Sequence, residues 1–284
     1  MRAGPSISEL LGSWAFDPWL LVLLAGTAVL YGIGVWRAGH WPAGRSLAFL
    51  AGLVVLACAL LSGIDRYSDR LLSVHMLQHL LLMLVAPALL CAGAPVRLAL
   101  KASGRGARVA VVGMLGSHTV KVLVRPACGF TVFAIVVLVT HLTGVFQLAL
   151  DHPLAHELEH TVLFWSGVLL LAPLIAADPV PRPAGPIARF CWLMAAMTVM
   201  AIPGALLTFA TSVRYPHYLV PTRALGHSPL GDEHLAGAIM WVGGGLMMFA
   251  LALTLAMRAM RAEEARQRRR EHHQQEGATG VLRA

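Results

Sequence analysis

Long apolar runs alternate along the chain with short polar connections. A helix needs ~20 predominantly apolar residues to cross the ~30 Å hydrocarbon core of a bilayer. Seven stretches meet that requirement: 18–36, 47–64, 71–91, 127–150, 155–176, 187–211 and 235–257. The segment 105–124 carries Arg108, His118 and Lys121. It is too polar to span and is expected to lie at the membrane interface. The pattern predicts an all-α polytopic membrane bundle of seven transmembrane helices. Its membrane domain would cover 18–258, preceded by a segment 1–17 and followed by a polar tail 259–284. Fixed-period repeats and Gly/Ser-rich linkers are absent, so one integral domain is expected.

Composition agrees with that reading. The 284 residues are 57% hydrophobic and 13% charged, about half the ~25% charge of a soluble domain. A single soluble core, a disordered chain and a disulfide-stapled module are excluded. The net charge of +8 could suggest a nucleic-acid partner, but its distribution argues otherwise. With seven spans, the loops near 37–46, 95–126 and 178–189 share a side with the tail and hold seventeen Lys/Arg. The opposite side holds five: Arg2, Arg66, Arg70, Arg214 and Arg223. Basic residues stay cytoplasmic, so the C-terminus is expected in the cytoplasm and the N-terminus outside. The basic excess is therefore topology, with no nucleic acid implied. The tail, with Arg268–Arg269–Arg270, suits a stop-transfer anchor beside anionic lipid headgroups. The first residues lack the basic region and small-residue cleavage site of a signal peptide, so the first span is expected to direct insertion.

Thirteen histidines are many for so apolar a chain. Nine fall on the outer side: His75, His79, His141, His152, His156, His160, His217, His227 and His234. Ionisable groups inside spans are costly and point to function. Two pairs, His75/His79 and His156/His160, are four residues apart, which places both rings on one helix face. His79 and His141 lie eight and nine residues into their spans, and His160 a few residues below the start of its own; at 1.5 Å per residue the first two are ~12 and ~13 Å deep. Three helices thus bring imidazoles to similar depth. A lone histidine could equally be a core residue donating to a backbone carbonyl; the concurrence favours a metal site. Met83 extends the His75/His79 stripe, and imidazole with thioether suits copper. Asp232 is a candidate further ligand. Met83, His152, His217, His227 and His234 are candidate secondary ligands. Binding should weaken as pH falls through the histidine range, because imidazole ligates only when neutral.

Three other readings fit parts of this pattern. His156-Glu157-x-x-His160 matches the zinc metalloprotease helix, in which the glutamate is the general base. It leaves His75/His79 unexplained. Bis-His haem takes one imidazole from each of two helices and does not explain the doubling. A copper permease would show soft residues in both membrane halves, whereas here only the Met194, Met197, Met200 run and Cys91, Cys128 and Cys191 serve the inner half. Those methionines also fit a packed helix face. The four cysteines, Cys58 included, form no CxxC pair and are expected to be buried and structural.

The segments Ser73-Val74-His75-Met76-Leu77-Gln78-His79, Ala86-Pro87 and Gly93-Ala94-Pro95 carry a family resemblance. Asp151-His152-Pro153, His156, His160, Ser228-Pro229-Leu230-Gly231-Asp232 and Ala236-Gly237-x-x-Met240-Trp241 continue it. Over roughly 45–258 the chain resembles the CtaG-type cytochrome c oxidase assembly factors of Gram-positive bacteria, which are seven-span proteins. It departs from them after Asp232, where Glu233 and His234 stand in place of the usual glutamine. The resemblance implies a non-enzymatic protein of the bacterial plasma membrane. Its role would be to help mature a haem–copper oxidase by supplying copper to a membrane-embedded oxidase subunit. The donor of that copper is not implied.

Overall fold

A computed structural model describes residues 7–180 and 183–281, and its regular structure is entirely helical. Residues 1–6 of the expected N-terminal segment, 181–182 of a connecting loop and 282–284 of the tail lie outside the described residues. Six helical stretches among the described residues are long and apolar enough to cross a membrane. Helices Pro126–Leu142 and Val145–Asp151, bent by 69°, make a seventh if counted as one span.

The first helices are α1 (Ile7–Gly12), α2 (Pro18–Ala38), α3 (Ala43–Leu61) and α4 (Gly63–Ser68). The third span is composite: α5 (Leu72–Leu80), a π-helical turn at Leu81–Val85, α6 (Ala86–Ala92) and α7 (Pro95–Ala102). Then come α8 (Arg105–Gly116), α9 (His118–Leu123), α10 (Pro126–Leu142), α11 (Val145–Asp151), α12 (Pro153–Ile175) and α13 (Pro186–Thr208). A 3₁₀ turn at Pro216–Tyr218 leads to α14 (Leu219–Ala224). The chain ends with α15 (Pro229–Ala238), a second π-helical turn at Ile239–Gly243, and α16 (Gly244–Val281).

Proline sets many of the helix starts. Pro18, Pro95, Pro126, Pro153, Pro186 and Pro229 each open a helix, where the missing N–H costs nothing and the fixed φ is already helical. Asp17 caps α2 by accepting from the amides of Trp19 at 2.9 Å and Leu20 at 3.1 Å. The expected single span 127–150 is instead two helices. Thr143 adopts extended backbone between them. Its hydroxyl donates to the Val139 carbonyl at 2.7 Å and accepts from the Val145 amide at 3.3 Å. The local bonds thus satisfy both ends of the break. His141 stands at the last turn before it rather than midway along a straight span.

The core lies among the third span, α10, α12, α13 and the last span. Phe133, Leu163, Leu170, Met83, Met200 and Met240 are among its fully enclosed side chains. Glycine permits the closest approaches. A Cβ at Gly167 would collide with the backbone of Met83, and one at Gly129 with that of Leu169. Met197 and Met200 pack on Gly245 and Gly244, so the methionine run of α13 is a packed face. Helices α2 and α3 sit to one side, joined to the third span by Tyr31. Its ring stacks on Phe49 at 3.9 Å and its hydroxyl donates to the Gly93 carbonyl at 2.9 Å. Helices α8 and α9 bury none of their residues. The polar tail continues the last span as one helix. The cysteines depart from expectation: Cys191 is exposed and Cys58, Cys91 and Cys128 are half-buried.

Asp232 belongs to this framework. It reaches from α15 to the start of α5. Its carboxylate accepts from the Leu72 amide at 2.7 Å, the Ser73 amide at 3.4 Å and the Ser73 hydroxyl at 2.5 Å. Those amides are orphan donors at a helix start and have no water to turn to. Asp232→Ala should therefore cost about 2 kcal/mol, read as a lower thermal midpoint in detergent. An unchanged midpoint would contradict the capping role.

Candidate metal centre

Five imidazoles converge where α5, α10 and α12 meet. His75 and His79 come from α5, His141 from the end of α10, and His156 and His160 from the first turns of α12. His75 is 0% exposed and His79 1%. The ring centroids of His75 and His79 are 4.4 Å apart, those of His156 and His160 4.2 Å, and those of His75 and His156 5.3 Å. His79 lies 5.5 Å from His141 and 6.0 Å from His160. The four-residue spacings deliver both rings of each pair to this one place.

Glu159, which the sequence reading passed over, joins them. One carboxylate oxygen stands 3.7 Å from Nε2 of His79. Ligand atoms of His75, His79 and His160 fall within 4.8 Å of one another, and so do those of His75, His156 and Glu159. Positions 156, 159 and 160 share a helix face by their spacing of three and four, which was the available signal. Glu157, the general base of the protease reading, is exposed and lies on a cleft toward α2 and α3.

The hydrogen-bond network sets the tautomers of two rings, His75 and His141. The Tyr218 hydroxyl donates to the Ser68 carbonyl at 2.9 Å, so at 3.0 Å it accepts from Nδ1–H of His75. Burial raises the Tyr218 phenol well above its ordinary pKa and pushes Tyr215 up to about 12, so both keep their protons. At the other end, Nδ1–H of His141 donates to the Val137 carbonyl at 2.9 Å. Nε2 of His141 is then an acceptor, 3.4 Å from Nδ1 of His79. Nε2 of His75 is likewise an acceptor and lies 2.8 Å from Nε2 of His79, a hydrogen bond when His79 carries its proton there and a facing pair of donor atoms for a cation when it does not. Nearby, Nε2 of His156, Nε2 of His160 and both Glu159 oxygens are buried without a hydrogen-bond partner. This donor set suits a cation that prefers imidazole.

The bend after α10 serves the same centre. It turns α11 back so that Phe146 packs edge-on to His75 at 5.0 Å and to His79 at 6.1 Å, and stacks on His141 at 6.0 Å. Tyr215 packs on Phe146 at 4.7 Å and donates to the His141 carbonyl at 3.1 Å. Gln78 points away and ties α5 to its neighbours, donating to the Ala59 carbonyl at 2.9 Å and to Asp65 at 2.8 Å.

Several candidate ligands are placed elsewhere. Asp232 is engaged at the start of α5, as described above. Met83 lies in the apolar core. His152 is exposed at the start of α12, and His227 is exposed near α15. His217 packs on the Tyr218 ring at 5.1 Å. The His234 ring bonds the Ala210 carbonyl at 2.8 Å.

Fold and site together define a polytopic helical membrane protein that buries a cluster of imidazoles between three of its helices. The model of the cytochrome c oxidase caa3 assembly factor family, Caa3_CtaG, matches residues 29–262, and the chain belongs to that family. It is accordingly a multi-pass protein of the bacterial plasma membrane. The chain is also 30% identical over 267 residues to an uncharacterized protein of Mycobacterium leprae (strain TN), covering 88% of this chain and 40% of that one. It is 30% identical over 278 residues to uncharacterized proteins of Mycobacterium bovis and Mycobacterium tuberculosis, covering 94% of this chain and 41% of each. The chain thus spans about two fifths of the length of these relatives. No solved structure matches it.

Proposed function

We propose that this chain binds copper at the imidazole cluster and supports assembly of a haem–copper oxidase by holding the ion for a membrane-embedded oxidase subunit. The observation that carries this reading is the buried convergence of ligand atoms of His75, His79 and His160 within 4.8 Å of one another, with Nε2 of His160 lacking any hydrogen-bond partner. Copper accepts imidazole readily and stands highest in the affinity order for nitrogen donors. The copper is cargo, and the role is non-enzymatic. Glu159 supplies a negative charge beside the ion, and Phe146 and Tyr215 close one side of the cluster. Membership in an oxidase assembly family supplies the client class.

Protein purified from copper-replete cells should carry copper, read by elemental analysis. A strain lacking the gene should contain terminal oxidase with reduced copper content and activity. Copper-free protein would remove the binding claim. Normal oxidase copper and activity in the deletion strain would remove the assembly role.

A further inference from the structure

Phe146 and Tyr215 pack over one side of the imidazole cluster, and His160 of the same cluster lines a cleft. This cleft of about 650 Å³ separates α2 and the end of α3 from the first half of α12. The connection at Ala15 forms one rim, held by a 2.7 Å bond from the Ala15 amide to the Leu61 carbonyl. Trp19 and Trp165, 83% and 56% exposed, flank the opening. The lining is mostly apolar. Asp17 is used in capping α2, and the Thr161 hydroxyl is used on the Glu157 carbonyl. The remaining ionisable groups of the lining are Glu157, His160 and Asp65, one oxygen of which accepts from Gln78 at 2.8 Å.

His160 joins the two features. It lines the cleft, and it is one of the three histidines whose ligand atoms gather within 4.8 Å. The residue is 5% exposed, and its Nε2 has no hydrogen-bond partner. The cleft is therefore lined by a buried, unpartnered donor that belongs to the metal centre, together with the carboxylates of Asp65 and Glu157. An apolar cavity whose ionisable groups are three acids and an imidazole, with no basic side chain in its lining, favours a cation over an anion or a neutral solute. The opening lies between membrane-crossing helices, so it faces sideways.

We propose that this cleft is a lateral port through which a metal cation passes to and from the imidazole cluster, with Asp65 and Glu157 as its anionic approach and His160 as the first ligand met inside. The proposal rests on the metal reading of the cluster. It assigns Asp65 and Glu157 to the rate of exchange and leaves the capacity of the site to the histidines.

The experiment follows uptake and release of Cu(I) by the full chain in nanodiscs, using stopped-flow competition with a chromophoric chelator. Ala15→Trp narrows the mouth. It should slow uptake and release alike, roughly tenfold, with stoichiometry and affinity unchanged. Asp65→Asn/Glu157→Gln removes the charge without changing volume and should slow uptake roughly tenfold, within the range known for electrostatic steering. In the wild type uptake should fall as salt rises, and in that double variant this dependence should flatten. If Ala15→Trp lowers the thermal midpoint, the charge variant carries the test. Wild-type uptake with unchanged rates in both variants overturns the port alone. Wild-type protein that takes up no ion overturns the metal reading together with the port.

Discussion

Copper carried by the wild-type chain is expected to be lost when His75 and His79 are replaced together by alanine. His75 belongs to both groups of converging ligands, and His79 supplies the nitrogen that faces it at 2.8 Å. Removing both leaves His156, His160 and Glu159 on a single helix with only His141 from another, and His141 belongs to neither group of converging ligand atoms. Elemental analysis of the double variant should find less than about a tenth of the wild-type copper, since ligands outweigh their supporting groups and those alone are worth ~10–100-fold in affinity. Tyr218→Phe tests the support separately. It keeps every ligand and removes the hydroxyl that accepts from Nδ1–H of His75, so affinity should fall roughly tenfold or more while stoichiometry holds. Copper content untouched by His75→Ala/His79→Ala would sink the site.

The largest effect on stability is expected at Gly167. An added Cβ there would meet the Met83 backbone carbonyl, which cannot swing aside as a side chain can. Gly167→Val should force α12 away from the third span, at about 3 kcal/mol or more. The readout is loss of a monodisperse peak and a sharply lower thermal midpoint in detergent. Gly113→Ala is the matched control, because nothing lies within 4 Å of a Cβ at that position. It should be neutral or slightly stabilising, as alanine favours helix over glycine. A Gly167→Val protein with a wild-type midpoint would show that the helix contact contributes little.

The helices and the membrane-spanning segments were legible because burial in lipid demands long apolar runs, and proline marks their starts. The bend at Thr143 was not. Hydropathy averages over the break, and 127–150 reads as one apolar stretch whether straight or folded back. The two histidine pairs were legible because helical spacing alone predicts their shared faces. His141 could be placed only by depth, and depth follows from position only in a straight span. Glu159 is masked in the sequence by its neighbour Glu157, which matches the protease pattern yet is exposed on the cleft while Glu159 is buried at the cluster. Asp232 illustrates the opposite limit. Its bonds to Leu72 and Ser73 cross about 160 positions of chain, and no local pattern announces such a pairing. Tyr218 escaped for the same reason, since its contact with His75 spans 143 positions.

The π-helical turn at Leu81–Val85 lies directly after His79, and Leu80, just before it, packs on Gly243 and Gly244 at the second such turn. A π turn accommodates an extra residue in what would otherwise be α-helix. Deleting one residue there would let the helix close up into regular form, keeping its length, its apolarity and its capacity to cross a bilayer. Because the wide turn absorbs that residue, His75 and His79 would keep their facing relative to α6, and the imidazoles would still meet His156 and His160. The same deletion in a regular α-helix has no such slack and would turn the residues before it by about 100° relative to those after it. The turn after His79 is thus a place where the third span can lose a residue and still gather its ligands.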